Sequence, residues 1–126
     1  MKTAHDLVVA AKARVAEITV DEAEAAVRGA DLVIDVREAD EFAAGHIPGA
    51  THIPRGLLEF RLSGAPELGA RDLDVLLYCK TSGRAALAAC AMQDMGYTRV
   101  RSIAGGFDAW AAAGKPVEQP SLPSFE

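Results

Sequence analysis

Cysteine is scarce in this chain: 126 residues hold two, Cys79 and Cys90, eleven positions apart and in no CxxC pattern. With no Cys/His cluster at zinc spacing, this suggests neither a disulfide framework nor a metal centre, and no motif calls for a cofactor. A reducing, cytoplasmic setting fits best. A long apolar run is also missing from the first twenty residues, where Lys2, His5, Asp6, Lys12, Arg14 and Glu17 interrupt any signal h-region or membrane span. Positive charge is in deficit as well, with 13 Lys and Arg against 18 Asp and Glu and a net charge of −5. A general nucleic-acid-binding or anionic-membrane surface is therefore not expected, although one small basic pocket can oppose the global sign.

What is present is an apolar half. Half of the residues are hydrophobic, so at the length of one domain a sizeable core forms without staples. From Ala4 to Ala16, Leu7, Val8, Ala11 and Val15 recur at helical spacing, which predicts an amphipathic opening helix packed on its own domain. Ile18-Thr19-Val20 is a short β-branched run, and Asp21 with Glu24 reads as the capping box of a helix ending at Gly29. Leu32 to Val36 is a second strand, followed by a charged helix from Glu38 to Ala44 that Gly45 closes. Thr51-His52-Ile53 gives a third strand, Leu57 to Leu62 a short helix, and Ser63 to Ala70 a loop. Leu73 to Tyr78 is the fourth strand, with a helix from Arg84 to Met95 that is apolar on most sides and ends at Gly96. Val100 to Ile103 is the fifth strand, and after the Gly105-Gly106 turn a last helix runs from Phe107 to Ala113.

Strands of nearly continuous apolar residues separated by helices predict an α/β domain, a parallel sheet covered on both faces. The expected organisation is an N-terminal amphipathic helix in residues 1–17, the α/β domain in 18–116, and a loose tail in 117–126. In such sheets ligands bind beyond the carboxyl ends of the strands. Cys79 lies at such an end.

After Cys79 come Lys80, Thr81, Ser82, Gly83 and Arg84, and then a helix. Thr81, Ser82 and Gly83 turn the chain tightly and leave successive N–H groups pointing inward as an anion nest. Those amides, the helix dipole and the side chains of Lys80 and Arg84 favour a thiolate at Cys79 and a bound anion beside it. Read from the residues alone, a reactive thiol and a core cysteine in an ordinary strand-to-helix turn are equally served by this pattern.

The ordered motifs Leu32-Val33-Ile34-Asp35-Val36-Arg37, Glu41-Phe42, Gly45-His46-Ile47-Pro48-Gly49-Ala50, the Cys79 loop and Gly105-Gly106-Phe107-Asp108-Ala109-Trp110 resemble those of the rhodanese-like family, over about Ile18 to Pro116. The resemblance implies a single-domain rhodanese-like fold with a central parallel five-stranded sheet. It also implies a thiosulfate sulfurtransferase. Cys79 matches the nucleophile that takes a sulfane sulfur from a donor such as thiosulfate, becomes a persulfide, and passes the sulfur to a thiol or to cyanide. Lys80 to Arg84 match the loop that cradles it. The implied partners are a small anionic donor and a thiophilic acceptor, cyanide, a small thiol or a protein sulfur acceptor.

Related cysteine-and-arginine phosphatases carry five residues between the two side chains, and this chain carries four. The smaller ring favours sulfur over a phosphoryl or arsenate group. The glycine of the loop stands at the fifth position, where many relatives have it at the fourth. Asp35 and Arg37, at the end of the second strand, are expected to brace the loop as an ion pair. His46 reads as a hydrogen-bonding turn residue, since sulfur transfer needs no general base. Cys90 reads as a small buried hydrophobe, and Phe107 and Trp110 as packing residues. A persulfide carrier serving one protein partner is the alternative from outside enzymology.

Overall fold

Parallel strands need crossovers long enough to hold a helix, and the alternation of apolar runs and amphipathic segments supplies them. A computed structural model describes residues 1–120. Its strands are β1 (Ala16–Ile18), β2 (Leu32–Asp35), β3 (Thr51–His52), β4 (Val75–Tyr78) and β5 (Val100–Ile103). They form one sheet in the order β1-β5-β4-β2-β3, every neighbouring pair parallel. The helices are α1 (Ala4–Lys12), α2 (Val20–Gly29), α3 (Ala39–Ala44), α4 (Leu58–Gly64), α5 (Gly83–Asp94) and α6 (Gly106–Ala112), with 3₁₀ turns at Arg55–Leu57 and Pro66–Leu68.

Central β4 explains the two-layered core. All four of its side chains are buried, and they alternate between faces as a strand's must. Val75 and Leu77 join Ile53, Leu58, Leu62, Ala85, Ala89 and Met92 on the α4–α5 side. Leu76 and Tyr78 join Ala23, Ile47, Ile103 and Trp110 on the α2–α6 side. Each fully buried Leu or Val is worth about 1.5–3 kcal/mol relative to exposure, so this strand anchors the residue that follows it. The α/β class, the parallel five-stranded sheet and helices on both faces are as expected.

Helix α1 packs on α5. Ala11 is buried, Arg14 meets Asp94 at 2.8 Å, and Gln93 donates to the Arg14 carbonyl at 3.2 Å. That arrangement buries the alanine-rich α5 on a second side and accounts for its apolar circumference. Helix α1 stops at Lys12 rather than Ala16, because Ala16 already pairs with β5.

Two local expectations need correction. The capping box of α2 is Thr19 with Glu22, not Asp21 with Glu24. The Thr19 hydroxyl accepts from the Glu22 amide and the Glu22 carboxylate accepts from the Thr19 amide, which moves the end of β1 back to Ile18. The start of the tail is also tied down. Glu118 and His46 exchange backbone hydrogen bonds of 2.8 and 2.9 Å, and Gln119 donates to the Ala44 carbonyl. Residues 121–126 of that expectation lie outside the described residues. Among the described residues no helix is long and apolar enough to cross a membrane.

Candidate active site

Strand β4 delivers Cys79 to the carboxyl edge of the sheet, where its side chain is almost fully buried. The turn to α5 takes four residues, and Ser82 occupies the N-cap without a side-chain cap. The first-turn amides of α5 are therefore left to point out of the helix end. One of them reaches the sulfur: the Ala85 N–H donates to Cys79 Sγ at 3.4 Å. The amides of Lys80, Thr81, Ser82, Gly83 and Arg84 donate to no acceptor among the described residues. Cys79 thus sits at the positive end of α5, inside a run of unengaged N–H groups.

The opposite side of the loop is clamped. The Phe107 N–H donates to the Cys79 carbonyl at 2.8 Å, and the Asp108 N–H donates to the Lys80 carbonyl at 3.0 Å. Gly106 makes this possible. Its φ is +57°, and a Cβ there would lie 2.4–2.8 Å from the carbonyl oxygens of Thr81, Cys79 and Lys80. Only glycine permits both the backbone conformation and the approach. Gly83 has no such role, because its φ is not positive and a Cβ there would meet Val8 of α1 in ordinary contact at 3.5 Å. With its carbonyls taken by the start of α6, the loop has its amides left for the thiol side.

The loop's two cations are both paired. Lys80 Nζ lies 2.7 Å from the Asp108 carboxylate on the exposed rim. Arg84 makes a two-pronged bridge to Glu41 at 2.7 and 3.0 Å, and hydrogen bonding from Arg84 is the main reason that the Glu41 carboxyl is held down to about 2. Glu41 also accepts from the Glu38 N–H, which closes the first turn of α3. Neither cation lies free beside the thiol, so the unengaged donors around it are backbone amides rather than side chains.

Asp35 and Arg37 form a buried bidentate pair, closest at 2.8 Å. Arg37 also donates to the Gly45 carbonyl, and its guanidinium lies 4.3 Å from the centre of the Phe107 ring. The pair connects to the Cys79 loop through Phe107, whose amide holds the Cys79 carbonyl. Tyr78 accepts from the Ile47 N–H, and burial, with the Asp35 charge near it, pushes its hydroxyl well above the usual range. His46 is buried against Phe42, with ring centres 3.8 Å apart and Nδ1 at 3.1 Å from the Phe42 carbonyl. His52, whose Nε2 meets the Arg37 carbonyl at 2.8 Å, stacks on the same ring. Both histidines are spent on structure.

Sequence reasoning placed Cys79 with its loop, Asp35 and Arg37 at the ends of neighbouring strands, and the structure puts them there, with His46 in a turn and hydrogen-bonded to the Phe42 carbonyl. It named Glu41 only within a motif and Asp108 only within another, and it had no signal for Val8 beside Gly83. Those three meet the loop from 28 to 75 positions away in the chain, counting from Lys80 to Asp108 and from Gly83 to Val8.

The sequence profile of the rhodanese-like domain matches residues 19–113. The chain belongs to the rhodanese-like family. A sulfurtransferase of Allochromatium vinosum is 37% identical over 89 residues, 71% of this chain and 79% of that protein. The thiosulfate sulfurtransferase GlpE of Pseudomonas putida is 35% identical, covering 64% of this chain and 70% of the other. Among solved structures, a Rhodopseudomonas palustris protein of unknown function, described as a possible tyrosine phosphatase, superposes with a TM-score of 0.83 at 32% identity, over 94% of this chain and 96% of that one. The rhodanese-like fold therefore carries differently described relatives, and the chemistry has to be argued from the loop.

Proposed function

We propose that this rhodanese-like chain is a sulfurtransferase in which Cys79 accepts a sulfane sulfur as a persulfide and hands it to a thiophilic acceptor, cyanide or a thiol. The observation that carries this reading is the Cys79 loop. A single thiol lies at the start of α5 with one N–H on its sulfur, and the loop's carbonyls are tied to α6. A transferred sulfur needs a nucleophilic thiolate and preorganised dipoles, and no separate general base. Sulfurtransferase relatives support the same chemistry. The reading includes a reducing cytoplasmic compartment, consistent with two free cysteines.

In this mechanism Cys79 Sγ attacks the terminal sulfur of a donor such as thiosulfate. The new S–S bond forms as the old one breaks, and sulfite leaves with the electron pair. The amides from Lys80 to Arg84 hold the charged sulfur before and after transfer, while Asp35, Arg37 and His46 keep the surrounding edge rigid. Intact-mass measurement after exposure to thiosulfate tests it. The expected result is one added sulfur on the wild type and none on Cys79→Ser. A wild type that gains no sulfur from thiosulfate or from any other sulfane donor would overturn it.

The phosphatase-like neighbour favours one second reading, cysteine-dependent phosphoryl transfer. Four residues between Cys79 and Arg84 enclose a smaller ring than a phosphoryl group requires, and Arg84 is already bound to Glu41. Hydrolysis of para-nitrophenyl phosphate that vanishes in Cys79→Ser would reverse the preference. A relative named a putative sulfur carrier, from Bacillus subtilis, is 36% identical over 78 residues. Persulfide formation without repeated turnover would mark this chain as a carrier for a protein acceptor.

A further inference from the structure

Given that the loop transfers sulfur as proposed above, the charges around Cys79 bear on the kind of sulfur donor it accepts. Four cationic side chains surround the site edge, and each is matched by its own carboxylate. Arg37 pairs with Asp35, Arg55 with Glu59, Lys80 with Asp108 and Arg84 with Glu41, all at 2.7–2.8 Å. Glu38 adds a further negative charge whose field reaches Arg84. The side chains at the mouth thus offer no surplus positive charge, and the attraction for an anion comes from backbone amides and the α5 dipole, equivalent to roughly half a charge. That suffices for one negative charge beside the thiolate. A second is uncompensated.

The flanks of the mouth are apolar. Val8 of α1 lies against Gly83, and its neighbour Leu7 is half exposed. On the other side the Arg55 N–H donates to the Val36 carbonyl at the same sheet edge. The turn that starts there leads to Leu57 and Phe60, which are 50% and 77% exposed. Exposed side chains of this size beside a site offer a surface for an organic group.

We infer that the loop takes a singly charged organic sulfane donor, R–S–S⁻ or R–SO₂–S⁻, in preference to the inorganic dianion thiosulfate. In the step, the Cys79 thiolate attacks the terminal sulfur. The Sγ–S bond forms, the donor's sulfur–sulfur bond breaks, and the electron pair leaves with the thiolate R–S⁻ or the sulfinate R–SO₂⁻. Charge is conserved, and no external oxidant or reductant enters.

Thiosulfate, methanethiosulfonate and benzenethiosulfonate deliver their sulfur by this same step and separate the two causes. The first two differ by one charge, and the last two by the size of the apolar group. Each rate of Cys79 persulfide formation is divided by that donor's rate with free mercaptoethanol, which removes intrinsic reactivity. Methanethiosulfonate is expected to exceed thiosulfate about tenfold, the order expected for one unscreened charge near the thiolate, with benzenethiosulfonate faster still. Glu41→Gln and Asp108→Asn, which release Arg84 and Lys80, should each raise the thiosulfate rate relative to methanethiosulfonate. Glu67→Gln, the same charge change at an exposed position in the Pro66–Leu68 turn, where Glu67 pairs with none of the four cations, should not. Equal normalised rates, a preference for thiosulfate, or ratios unmoved by both variants would overturn the inference while leaving sulfur transfer standing. The Arg55–Phe60 side is read by persulfides of cysteine and of cysteine methyl ester, which carry the same reacting group. The ester, lacking the carboxylate, is expected to react faster. No sulfur from any of these donors would instead refute the sulfurtransferase reading itself.

Discussion

The two cysteines of this chain meet the same helix at different places, Cys79 before its start and Cys90 within it, and differ in what surrounds the thiol. Cys79 precedes α5 at the sheet edge, faces amides at the positive end of the helix, and is held by hydrogen bonds from α6 to its own loop. Cys90 lies in the middle of α5, half-buried, with Sγ 3.7 Å from the Ala11 carbonyl of α1. There the helix amides are spent within the helix and the nearest backbone partner is an acceptor. The reactive candidate is defined by its place relative to backbone dipoles, and not by exposure, since Cys79 is the more buried of the two. Cys90, read from the sequence as a small buried hydrophobe, is only half-buried, beside Ala11 of α1.

The comparison breaks most sharply under substitution of either thiol. Cys79→Ser is expected to abolish sulfur loading from thiosulfate, and Cys90→Ser to leave it at wild-type level, as intact mass will show. Loading that survives the first change or disappears with the second would erase the distinction. Next in size is Asp35→Asn, which leaves the buried Arg37 without its carboxylate and should cost about 4 kcal/mol of stability in urea unfolding. Gly106→Ala follows. A methyl group within 2.4–2.8 Å of three carbonyl oxygens at a φ of +57° should cost about 3 kcal/mol. Under native conditions it should also slow alkylation of Cys79 far more than that of Cys90, because only the Cys79 loop leans on α6.

The smallest effect concerns Glu41→Gln, worth about 1 kcal/mol for a partly exposed two-pronged pair. Its pH dependence has a definite sign. The folded Glu41 carboxyl is held at about 2, below its ordinary 4.5, so the pair stabilises fully above pH 5 and is lost as pH falls through 2. The stability gap between wild type and Glu41→Gln should stay constant from pH 7 to 5 and shrink on further acidification. A gap that widens on acidification would show that the bridge to Arg84 is not what Glu41 contributes.

Much of this was legible in the chain, for local reasons. The run Val75-Leu76-Leu77-Tyr78 announces a doubly covered strand, Gly96 and Gly114 mark helix ends, and strand β5 was bounded correctly ahead of the Gly105-Gly106 turn. The misplaced capping box at α2 shows the limit of such signals. Asp21 and Glu24 have the right spacing, and so do Thr19 and Glu22. The choice between them depends on where β1 must stop to pair with β5. The start of the tail was misjudged for a related reason, since the pairing of Glu118 with His46 depends on a neighbour 72 positions away.

By itself the sequence determined the order strand, cysteine, polar turn, helix, and with it a thiol at the start of a helix dipole, because those relations span a few neighbouring residues. It determined the class of the fold as well, through the period of its apolar runs. Only the tertiary structure decided how the loop is charged. Arg84 meets Glu41 from 43 positions away and Lys80 meets Asp108 from 28, and no local pattern distinguishes a paired cation from a free one. Gly106 is the link between the two levels. Its place in a glycine pair marked a turn, and the fold decided what that turn approaches, the backbone of the loop that holds Cys79.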